Sequence, residues 1–259
     1  MDRLEIIKQI TEEENELKFT DTLPDKKELV KFIDKLLNVL YGKDQGVGSA
    51  MEMLKDILKD ENYEKTYEFF SHIPEVRKSL KLDLVAIYNG DPAAESYEEV
   101  VYCYPGFYAI TVYRLAHVLY TMGLKVIARA LSEHAHSLTG IDINPGAEIG
   151  KSFFIDHGTG IVVGETTVIG DNVKLYQSVT LGAISTRGGI SLKGKKRHPS
   201  IGNNVTIYAG ASVLGNVYIG DNCVLGSNTF VTTDLKENTI VTIEPEQKHL
   251  SKSDIERRA

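Results

Sequence analysis

The sequence lacks the segments that would direct a chain into a membrane or out of the cell. No stretch approaches the run of about 18 apolar residues that a membrane-spanning helix requires. The opening residues, MDRLEIIKQITEEENELKF, are charged throughout and contain no apolar stretch long enough for a signal peptide. Only two cysteines are present, Cys103 and Cys223, far apart and in unlike contexts, which argues against a disulfide framework. We therefore expect a protein of the reducing cytoplasm that has no membrane partner.

An excess of basic residues is also missing. The formal net charge is −7. Residues 1–140 carry 17 Lys and Arg against 24 Asp and Glu, whereas residues 141–259 carry 12 of each kind. The acidic excess lies in the first part of the chain, and no basic surface favours nucleic acid as a partner. The 259 residues, 42% of them hydrophobic and 25% charged, fit a globular protein of one large or two modest domains.

A repeat of six residues runs from Ile143 to Thr233. Its second position is often Gly and its fifth position is mostly small or β-branched, and Cys223 occupies one of these fifth positions, which predicts a buried thiol. A two-residue slip after Ile155 and a long polar insert from Ala183 to Ser200 interrupt the count. A period of six predicts short strands, three flat faces to a turn of about 18 residues, and coils stacked about 4.8 Å apart into one prism. The aliphatic residues at the first positions, thirteen in all, are Ile143, Ile149, Ile155, Val163, Ile169, Leu175, Leu181, Ile201, Ile207, Val213, Ile219, Leu225 and Val231.

Residues 1–140 have the spacing of helices instead. A stripe from Leu29 to Leu40 indicates one amphipathic helix, and further helices are expected over 64–71, 75–88 and 124–137. A second stripe, from Ala109 to Tyr120, indicates another helix that follows Gly106 and is broken at Met122-Gly123. Asp91 followed by Pro92 is typical of a cap at the start of another helix. We predict a helical domain over 1–140, a catalytic prism over 141–235 with a loop at 183–200, and a polar tail over 236–259.

His157 stands at the slip in the repeat, within Ile155-Asp156-His157-Gly158-Thr159-Gly160. A break in a regular scaffold can aim a side chain, and an imidazole is a suitable general base for a hydroxyl group. A solvated corner residue would give the same pattern. The spacing alone favours neither interpretation.

The base of the insert reads Lys195-Lys196-Arg197-His198-Pro199. Arg197 is able to hold a carboxylate with two hydrogen bonds, and the lysines could attract a phosphorylated cofactor, although a solvated basic loop explains the pattern more simply. Asp142 lies 15 residues before His157, close enough for neighbouring coils and for orienting an imidazole. We expect no metal, because a catalytic zinc needs three converging ligands and the prism offers only two separated histidines.

Taken together, the motifs resemble the serine O-acetyltransferases of the hexapeptide-repeat acyltransferase superfamily, over roughly residues 85–235. The matching segments are DPAA at 91–94, YPGFYAITVYRLAH at 104–117, TGIDINPGAEIG at 139–150, FFIDHGTGIVVGETTVIGDNV at 153–173, QSVTLG at 177–182 and RHP at 197–199. The resemblance implies an α + β chain, in which an N-terminal α-helical domain precedes a left-handed parallel β-helix. It also implies trimers with sites between adjacent prisms, often paired into hexamers.

The family's chemistry transfers an acetyl group from acetyl-CoA to the L-serine hydroxyl, giving O-acetyl-L-serine as the first step of cysteine synthesis. By resemblance, His157 is the general base, no acyl-enzyme forms, and Asp142 orients the imidazole. The implied serine-binding residues are Asp91 and Asp156 for the ammonium group, and Arg197 and His198 for the carboxylate. The implied CoA-binding residues are Gly182, Ala183, Ala209 and Ser227.

The chain departs from the family pattern in several places. Ala183 replaces the second Gly of the usual Leu-Gly-Gly, Tyr208 stands where Gly is common, and the loop before Arg197 is longer than usual. The sequence ends in Arg-Arg-Ala, whereas the family docks its sulfhydrylase partner through a C-terminal Ile. We therefore expect this docking to be weak or missing.

Three other functions share parts of the pattern. A hexapeptide acyltransferase for a sugar or xenobiotic hydroxyl would keep His157 but would not need Asp91 and Arg197 as an opposed charge pair. A non-catalytic assembly subunit would use the prism only to form trimers. A zinc hydrase on the same coil is disfavoured by the histidine count.

Overall fold

A computed structural model describes residues 2–5, 8 and 23–243 of the chain. The predicted tail residues 245–259 lie outside this range, as does the C-terminal sequence on which the docking prediction rests. Residues 1–67 and residues 68–259 form two compact units, and each is described by itself. Within the described residues, no helix combines the length and apolar character needed to cross a membrane.

Six helices are described between residues 26 and 139. The first unit contains α1 and α2, and α3 begins at its end. The bounds are α1 Lys26–Leu40, α2 Val47–Leu58, α3 Glu64–Gly90, α4 Tyr97–Cys103, α5 Pro105–Thr121 and α6 Lys125–Thr139.

Helix α1 buries the predicted apolar stripe and packs against α2. Its N-cap Asp25 accepts a hydrogen bond from the amide of Lys27 at 2.8 Å, which satisfies one of the unpaired amides of the first turn. The stripe therefore explains both the length of α1 and the face that it buries.

The helix predictions fail at two prolines. Helices over 64–71 and 75–88 were expected as separate elements, but α3 is one helix with Pro74 inside it. The helix expected to begin at Pro92 begins at Tyr97, where the hydroxyl of Ser96 accepts from the amide of Glu99. Asp91 caps only a local turn, through the amide of Ala93 at 2.8 Å. A proline removes one amide donor, and packing of the rest of a long helix can offset that loss.

The second unit contains the prism, and the fourteen strands found in the described part of the chain are all parallel. Sheet A has the order β1-β4-β7-β10-β13, sheet B has β11-β8-β5-β2, and sheet C has β14-β12-β9-β6-β3. The strands are β1 Asp142–Ile143, β2 Glu148–Ile149, β3 Phe154–Ile155, β4 Val162–Val163, β5 Val168–Ile169, β6 Lys174–Leu175, β7 Thr180–Gly182, β8 Ser200–Ile201, β9 Thr206–Ile207, β10 Ser212–Leu214, β11 Tyr218–Ile219, β12 Val224–Leu225, β13 Phe230–Val231 and β14 Ile240–Val241.

The sheet order confirms the repeat. From β1 to β13 each strand pairs with the third strand along the chain, as three faces to a turn require, whereas β14 pairs with β12, and the fold is a left-handed parallel β-helix. Val162 pairs with Thr180, a step of 18 residues, and Ser212 pairs with Phe230, again 18. All thirteen predicted aliphatic positions are the second residue of a strand. Their side chains fill the interior, with Ile149 at the first coil less deeply buried than the rest.

The structure also shows the state of the two cysteines and how far the coil extends. Cys223 is buried and free, as its fifth position predicts, and Cys103 is exposed. The coil continues past the predicted limit of residue 235, because β14 pairs with β12 through Val224 and Ile240. The domain limits of 1–140, 141–235 and 236–259 stay a prediction.

A buried ion pair attaches the helices of the second unit to the prism. The guanidinium of Arg114 in α5 donates to both carboxylate oxygens of Asp83 in α3, at 2.5 and 2.8 Å. Arg114 also donates to the carbonyl of Gly150 at 2.8 Å, and Asp83 accepts from the amide of Phe153 at 2.9 Å. Because both partners also bond to prism backbone, this pair joins α3 and α5 to the prism.

Candidate active site

The two-residue slip after Ile155 is a bulge that projects His157 from one corner of the prism. We call the corner between a sheet C strand and the following sheet A strand the C–A corner. Before the bulge, the amide of Asp156 bonds to the carbonyl of Leu175, and after it the amide of Ser178 bonds to the carbonyl of Thr159. The two extra residues in this coil are therefore His157 and Gly158.

Both residues of the bulge have left-handed backbone, with φ of 57° at His157 and 85° at Gly158. A Cβ atom on Gly158 would lie 2.5 Å from Cδ1 of Ile141, so only glycine fits there. His157 instead points outward, and its side chain is 70% exposed. The two extra residues thus place an exposed imidazole at this corner of the prism.

Two carboxylates accompany this imidazole. Oδ1 of Asp156 lies 3.7 Å from Nδ1 of His157. Asp91 accepts from the hydroxyl of Tyr104 at 2.6 Å, and this hydrogen bond, with the amide of Ala93 and the nearby charge of His157, lowers the pKa of Asp91. The same bond raises the pKa of the Tyr104 hydroxyl. Asp91 and Asp156 are therefore a pair of negative charges beside His157.

Two close contacts bring Asp91 and Tyr104 to this corner. Helix α3 ends at Gly90, where a Cβ atom would lie 2.6 Å from the ring of Phe154 in β3. Helix α5 begins next to Ile155. A Cβ atom on Gly106 would lie only 2.8 Å from the Ile155 carbonyl oxygen. The helices approach β3 this closely only because both positions are glycine.

Asp142 lies on the coil below the bulge, at the start of β1. The neighbouring backbone is joined to the bulge by a hydrogen bond of 2.7 Å from the amide of Gly160 to the carbonyl of Gly140. Among the described residues, the Asp142 carboxylate pairs with Arg129 at 3.3 Å and makes no hydrogen bond to His157. The orienting role of Asp142 stays a prediction.

Arg197 and His198 lie at a different corner, between sheet A and sheet B, which we call the A–B corner. Nδ1 of His198 accepts from the amide of Thr166 at 3.1 Å, so the proton of the neutral imidazole is on Nε2. Burial, with the charge of Arg197 acting in the same direction, lowers the pKa of His198 to about 4. His198 is thus a neutral donor through Nε2.

Arg197 is held by the coil beside it. One of its terminal nitrogens donates to Glu165 at 2.6 Å, and the other donates to the carbonyl of Lys195 at 3.2 Å. Glu165 also accepts from Tyr120 at 2.9 Å, and the Arg197 hydrogen bond lowers the pKa of Glu165. Lys196, from the basic cluster, donates to the carbonyls of Thr166 and Pro199, so it anchors the base of the insert.

The site residues predicted from the sequence therefore form two groups within one chain. Asp91, Asp156 and His157 meet at the C–A corner, and Arg197 and His198 lie at the A–B corner. Sheet A separates the corners, and the five steps from Gly160 to Glu165 at about 3.3 Å each span on the order of 15 Å. One amino acid cannot contact both groups of the same chain.

The predicted CoA-binding residues divide in the same way. Ala209 and Ser227 follow β9 and β12 at the C–A corner, where the amide of Asn228 bonds to the Ala209 carbonyl. Gly182 ends β7 and Ala183 follows it at the A–B corner, where the insert leaves the prism. A Cβ atom on Gly182 would lie 3.0 Å from Leu214.

One group of potential metal ligands is found among the described residues. Glu133, His136 and Asp142 each offer an atom, and these atoms lie within 4.8 Å of one another. The guanidinium of Arg129 contacts the carboxylates of both Glu133 and Asp142. The guanidinium of Arg129 therefore already supplies a positive charge to these two carboxylates.

The motifs in the sequence did not identify the residues that hold the two groups in place. Tyr104 orients Asp91, while Glu165 and Thr166 orient Arg197 and His198. The spacing of the repeat could have identified Glu165 and Thr166. Glu165 and Thr166 follow β4 after Gly164, and the first positions of the repeat place them at the corner where the insert begins and ends.

Profiles of two known families match the chain. One described as "Serine acetyltransferase, N-terminal" matches residues 47–112, and one described as "Bacterial transferase hexapeptide (six repeats)" matches residues 198–233. The protein from Synechococcus elongatus named "Serine acetyltransferase, plasmid" is 49% identical over 219 residues, which cover 81% of this chain and 69% of that protein. The Helicobacter pylori serine acetyltransferase is 49% identical over 156 residues, covering 60% of this chain and 88% of the relative.

Solved structures give the same result. Serine acetyltransferase 1 of Entamoeba histolytica, in complex with L-cysteine, superimposes with a TM-score of 0.75 at 36% identity, covering 89% of this chain and 94% of that one. The Neisseria gonorrhoeae serine acetyltransferase in complex with serine has a TM-score of 0.63 at 33% identity, over 81% and 86% of the two chains.

Proposed function

The chain belongs to the serine acetyltransferase family, and we propose that it transfers an acetyl group from acetyl-CoA to the L-serine hydroxyl with His157 as the general base. The observation that carries this mechanism is the exposed imidazole on its bulge beside two carboxylates. A general base must be able to reach the substrate proton, and the corner position gives His157 that access.

The chemistry needs no covalent intermediate on the protein. The imidazole of His157 takes the hydroxyl proton of serine while the serine oxygen attacks the thioester carbon. The carbon–sulfur bond then breaks, and the imidazolium returns the proton to the departing CoA sulfur. Nearby carboxylates stabilise the imidazolium during these steps, because opposite charges favour the protonated form. Asp156 is close enough for this role, and we assign the orienting role to Asp142.

Fixed charges of opposite sign would hold the serine molecule. Asp91 and Asp156 bind its ammonium group, while Arg197 and the Nε2–H of His198 bind its carboxylate. Since these groups lie at different corners of one prism, we propose that the C–A corner of one subunit meets the A–B corner of the next. Three such heterologous contacts close a ring, which gives a homotrimer, and two trimers can pair into a hexamer.

Acetyl-CoA is the donor in this proposal. The division of the predicted CoA-binding residues between the same two corners supports a cosubstrate that lies in the cleft between neighbouring prisms. Ala209 and Ser227 would line one wall, and Gly182 and Ala183 the other. Small side chains at these positions allow a ligand to approach the backbone closely.

The opposed charge pair also separates this function from acetylation of a sugar or xenobiotic hydroxyl. Such acceptors carry no ammonium and carboxylate to match Asp91 and Arg197. We further propose that the product, O-acetyl-L-serine, enters cysteine synthesis in the cytoplasm.

Release of CoA from acetyl-CoA tests the proposal. The release is measured with L-serine, with a hexose and with no acceptor, for the wild type, for His157→Ala and for His72→Ala as a matched control in the exposed face of α3. We expect serine-dependent release that falls about 10²- to 10⁴-fold in His157→Ala and is unchanged in His72→Ala. Release that requires a hexose, or that is equal in all three proteins, would overturn the proposal.

A further inference from the structure

Gln177 lies on the C–A corner, one coil beyond the bulge that carries His157. The corner residues of successive coils are joined by backbone hydrogen bonds, from Ser178 to the carbonyl of Thr159 and from Gly210 to the carbonyl of Gln177. Thr159, Gln177, Ala209 and Ser227 therefore form one column along the corner. In this column Gln177 is the residue between the His157 bulge and the predicted CoA-binding residues.

The carboxamide of Gln177 is the unusual member of this column. Its Oε1 atom is buried and has no hydrogen-bond partner among the residues that the structure describes. A buried acceptor without a donor is destabilising, so natural structures rarely keep one without a reason. Thr159 and Ser227, by contrast, are exposed to solvent.

An aromatic residue directly precedes Gln177 in the chain, and another directly precedes Ala209. The rings of Tyr176 and Tyr208 stack with centroids 5.0 Å apart, beside the column on sheet C, and Phe154 packs on Tyr176 at 6.0 Å. Burial also raises the pKa of the Tyr176 hydroxyl. An acceptor in such surroundings forms a strong bond with a neutral donor.

We propose that Oε1 of Gln177 accepts a hydrogen bond from an amide N–H of the pantetheine arm of acetyl-CoA. This inference rests on the proposed function and adds a residue that fixes the arm, and hence the thioester, relative to His157. The pantetheine arm carries two secondary amides, both neutral donors. An arm extended along the corner past Ala209 and Ser227 reaches Gln177 just before its thioester reaches the bulge.

Serine is a poorer match for this oxygen. Its ammonium group is charged and finds two carboxylates, Asp91 and Asp156, on the adjacent side of the bulge. Charge-assisted hydrogen bonds to carboxylates are stronger than a bond to a neutral carboxamide. Gln177 therefore acts on the cosubstrate, and its loss should leave serine binding unchanged.

Binding of free CoA, measured by titration calorimetry on the full chain, tests the inference. Gln177→Leu removes the acceptor, Gln177→Asn withdraws it by one methylene group, and Gln177→Glu keeps an acceptor oxygen in place. The matched control is Asn203→Leu, which removes a carboxamide from the same position of a repeat unit at the B–C corner, between sheets B and C. There the side chain of Asn203 accepts from the amide of Asp171 at 2.9 Å.

We expect CoA affinity to fall about fivefold to tenfold in Gln177→Leu and Gln177→Asn, the effect of one hydrogen bond, and less in Gln177→Glu. The KM for acetyl-CoA should rise in parallel while the KM for serine stays constant. Asn203→Leu should bind CoA as the wild type does, although its thermal stability falls. If Gln177→Leu does not fold, Gln177→Asn carries the test.

Three results would overturn the inference. They are wild-type affinity in the folded Leu and Asn variants, an equal loss in Asn203→Leu, and an equal loss in Gln177→Glu. A wild-type protein that acetylates serine while these variants keep full CoA affinity contradicts the inference alone. A wild-type protein that binds no CoA contradicts the proposed function as well.

Discussion

Gly164 leaves room for nothing larger than hydrogen beside the imidazole of His198. A Cβ atom on Gly164 would lie 2.1 Å from Cδ2 of that ring and 2.3 Å from Nε2. The buried ring is also held from the other side by the amide of Thr166. The position of the Nε2 proton therefore depends on a glycine in the preceding coil.

Gly164→Ala should displace His198 and weaken serine binding. A hydrogen bond to a charged group contributes about 1.5–3 kcal/mol, so its loss predicts a KM for serine raised by about tenfold or more, with CoA affinity retained. Steady-state kinetics with each substrate varied measures both values. Gly48→Ala in α2 is the control, because nothing lies within 4 Å of a Cβ atom there. An unchanged KM for serine in Gly164→Ala would show that His198 does not bind the substrate.

The low pKa of His198 predicts a dependence of stability on pH. Burial lowers that pKa from 6.5 to about 4 in the folded chain, so between these values the unfolded chain binds more protons. The free energy of unfolding should therefore fall as the pH drops from 6.5 towards 4. In His198→Asn this part of the slope should disappear. Urea unfolding at a series of pH values measures it, and equal slopes in both proteins would contradict the burial of a neutral imidazole.

Asp83 and Arg114 provide a test of the helix attachment. Their side chains are 0% and 9% exposed, and removing one charge leaves the other buried without compensation. Asp83→Asn should lower the free energy of unfolding by about 3–5 kcal/mol, as measured in urea. The double variant Asp83→Leu/Arg114→Leu should lose less than either single variant, because no charge remains unpaired. If the double variant is the least stable of the set, the bonds from this pair to the prism backbone matter more than its charges.

Mixing two inactive proteins tests whether the site lies between subunits. His157→Ala removes a residue of the C–A corner, and Arg197→Ala removes one of the A–B corner. After joint unfolding and refolding at equal amounts, random heterologous contacts should combine two intact corners in about a quarter of the sites. Activity should therefore recover to about that fraction of the wild type.

A second mixture provides the control for this experiment. His157→Ala and Asp91→Ala both damage the C–A corner, so no contact between them combines two intact corners. This mixture should stay inactive. Equal recovery in both mixtures, or none in the first, would contradict a shared site.

The prism could be predicted from the sequence because the residue pattern that specifies it repeats over short distances along the chain. Each first position, such as Leu175 or Ile207, needs only an aliphatic side chain and a constant spacing to lie inside. The helices were less accurate, because Pro74 and Pro92 were interpreted by propensity alone. Helix α2, with Gly46 as its N-cap and Gly48 inside, was missed for the same reason. Tertiary packing decides such cases.

For the candidate site, the slip in the repeat located His157 correctly at a break in the coil. The separation of the two groups was harder to foresee. Thr180 pairs with Ser212, so this coil contains 32 residues in place of 18. The insert lengthens the coil, but Arg197 still lies at the A–B corner. The neutral state of His198 depends on burial, which appears only once Gly164 and Thr166 are placed around it.

The bulge at His157 and Gly158 adds two residues to one coil and leaves the coils on either side regular. First positions 155 and 163 are eight residues apart, and removing these two would restore the spacing of six. A chain shortened in this way would keep every aliphatic residue of the interior in register, yet it would have lost the proposed base. The imidazole is thus carried by an insertion into a scaffold that is complete without it, and the two can be separated by a deletion.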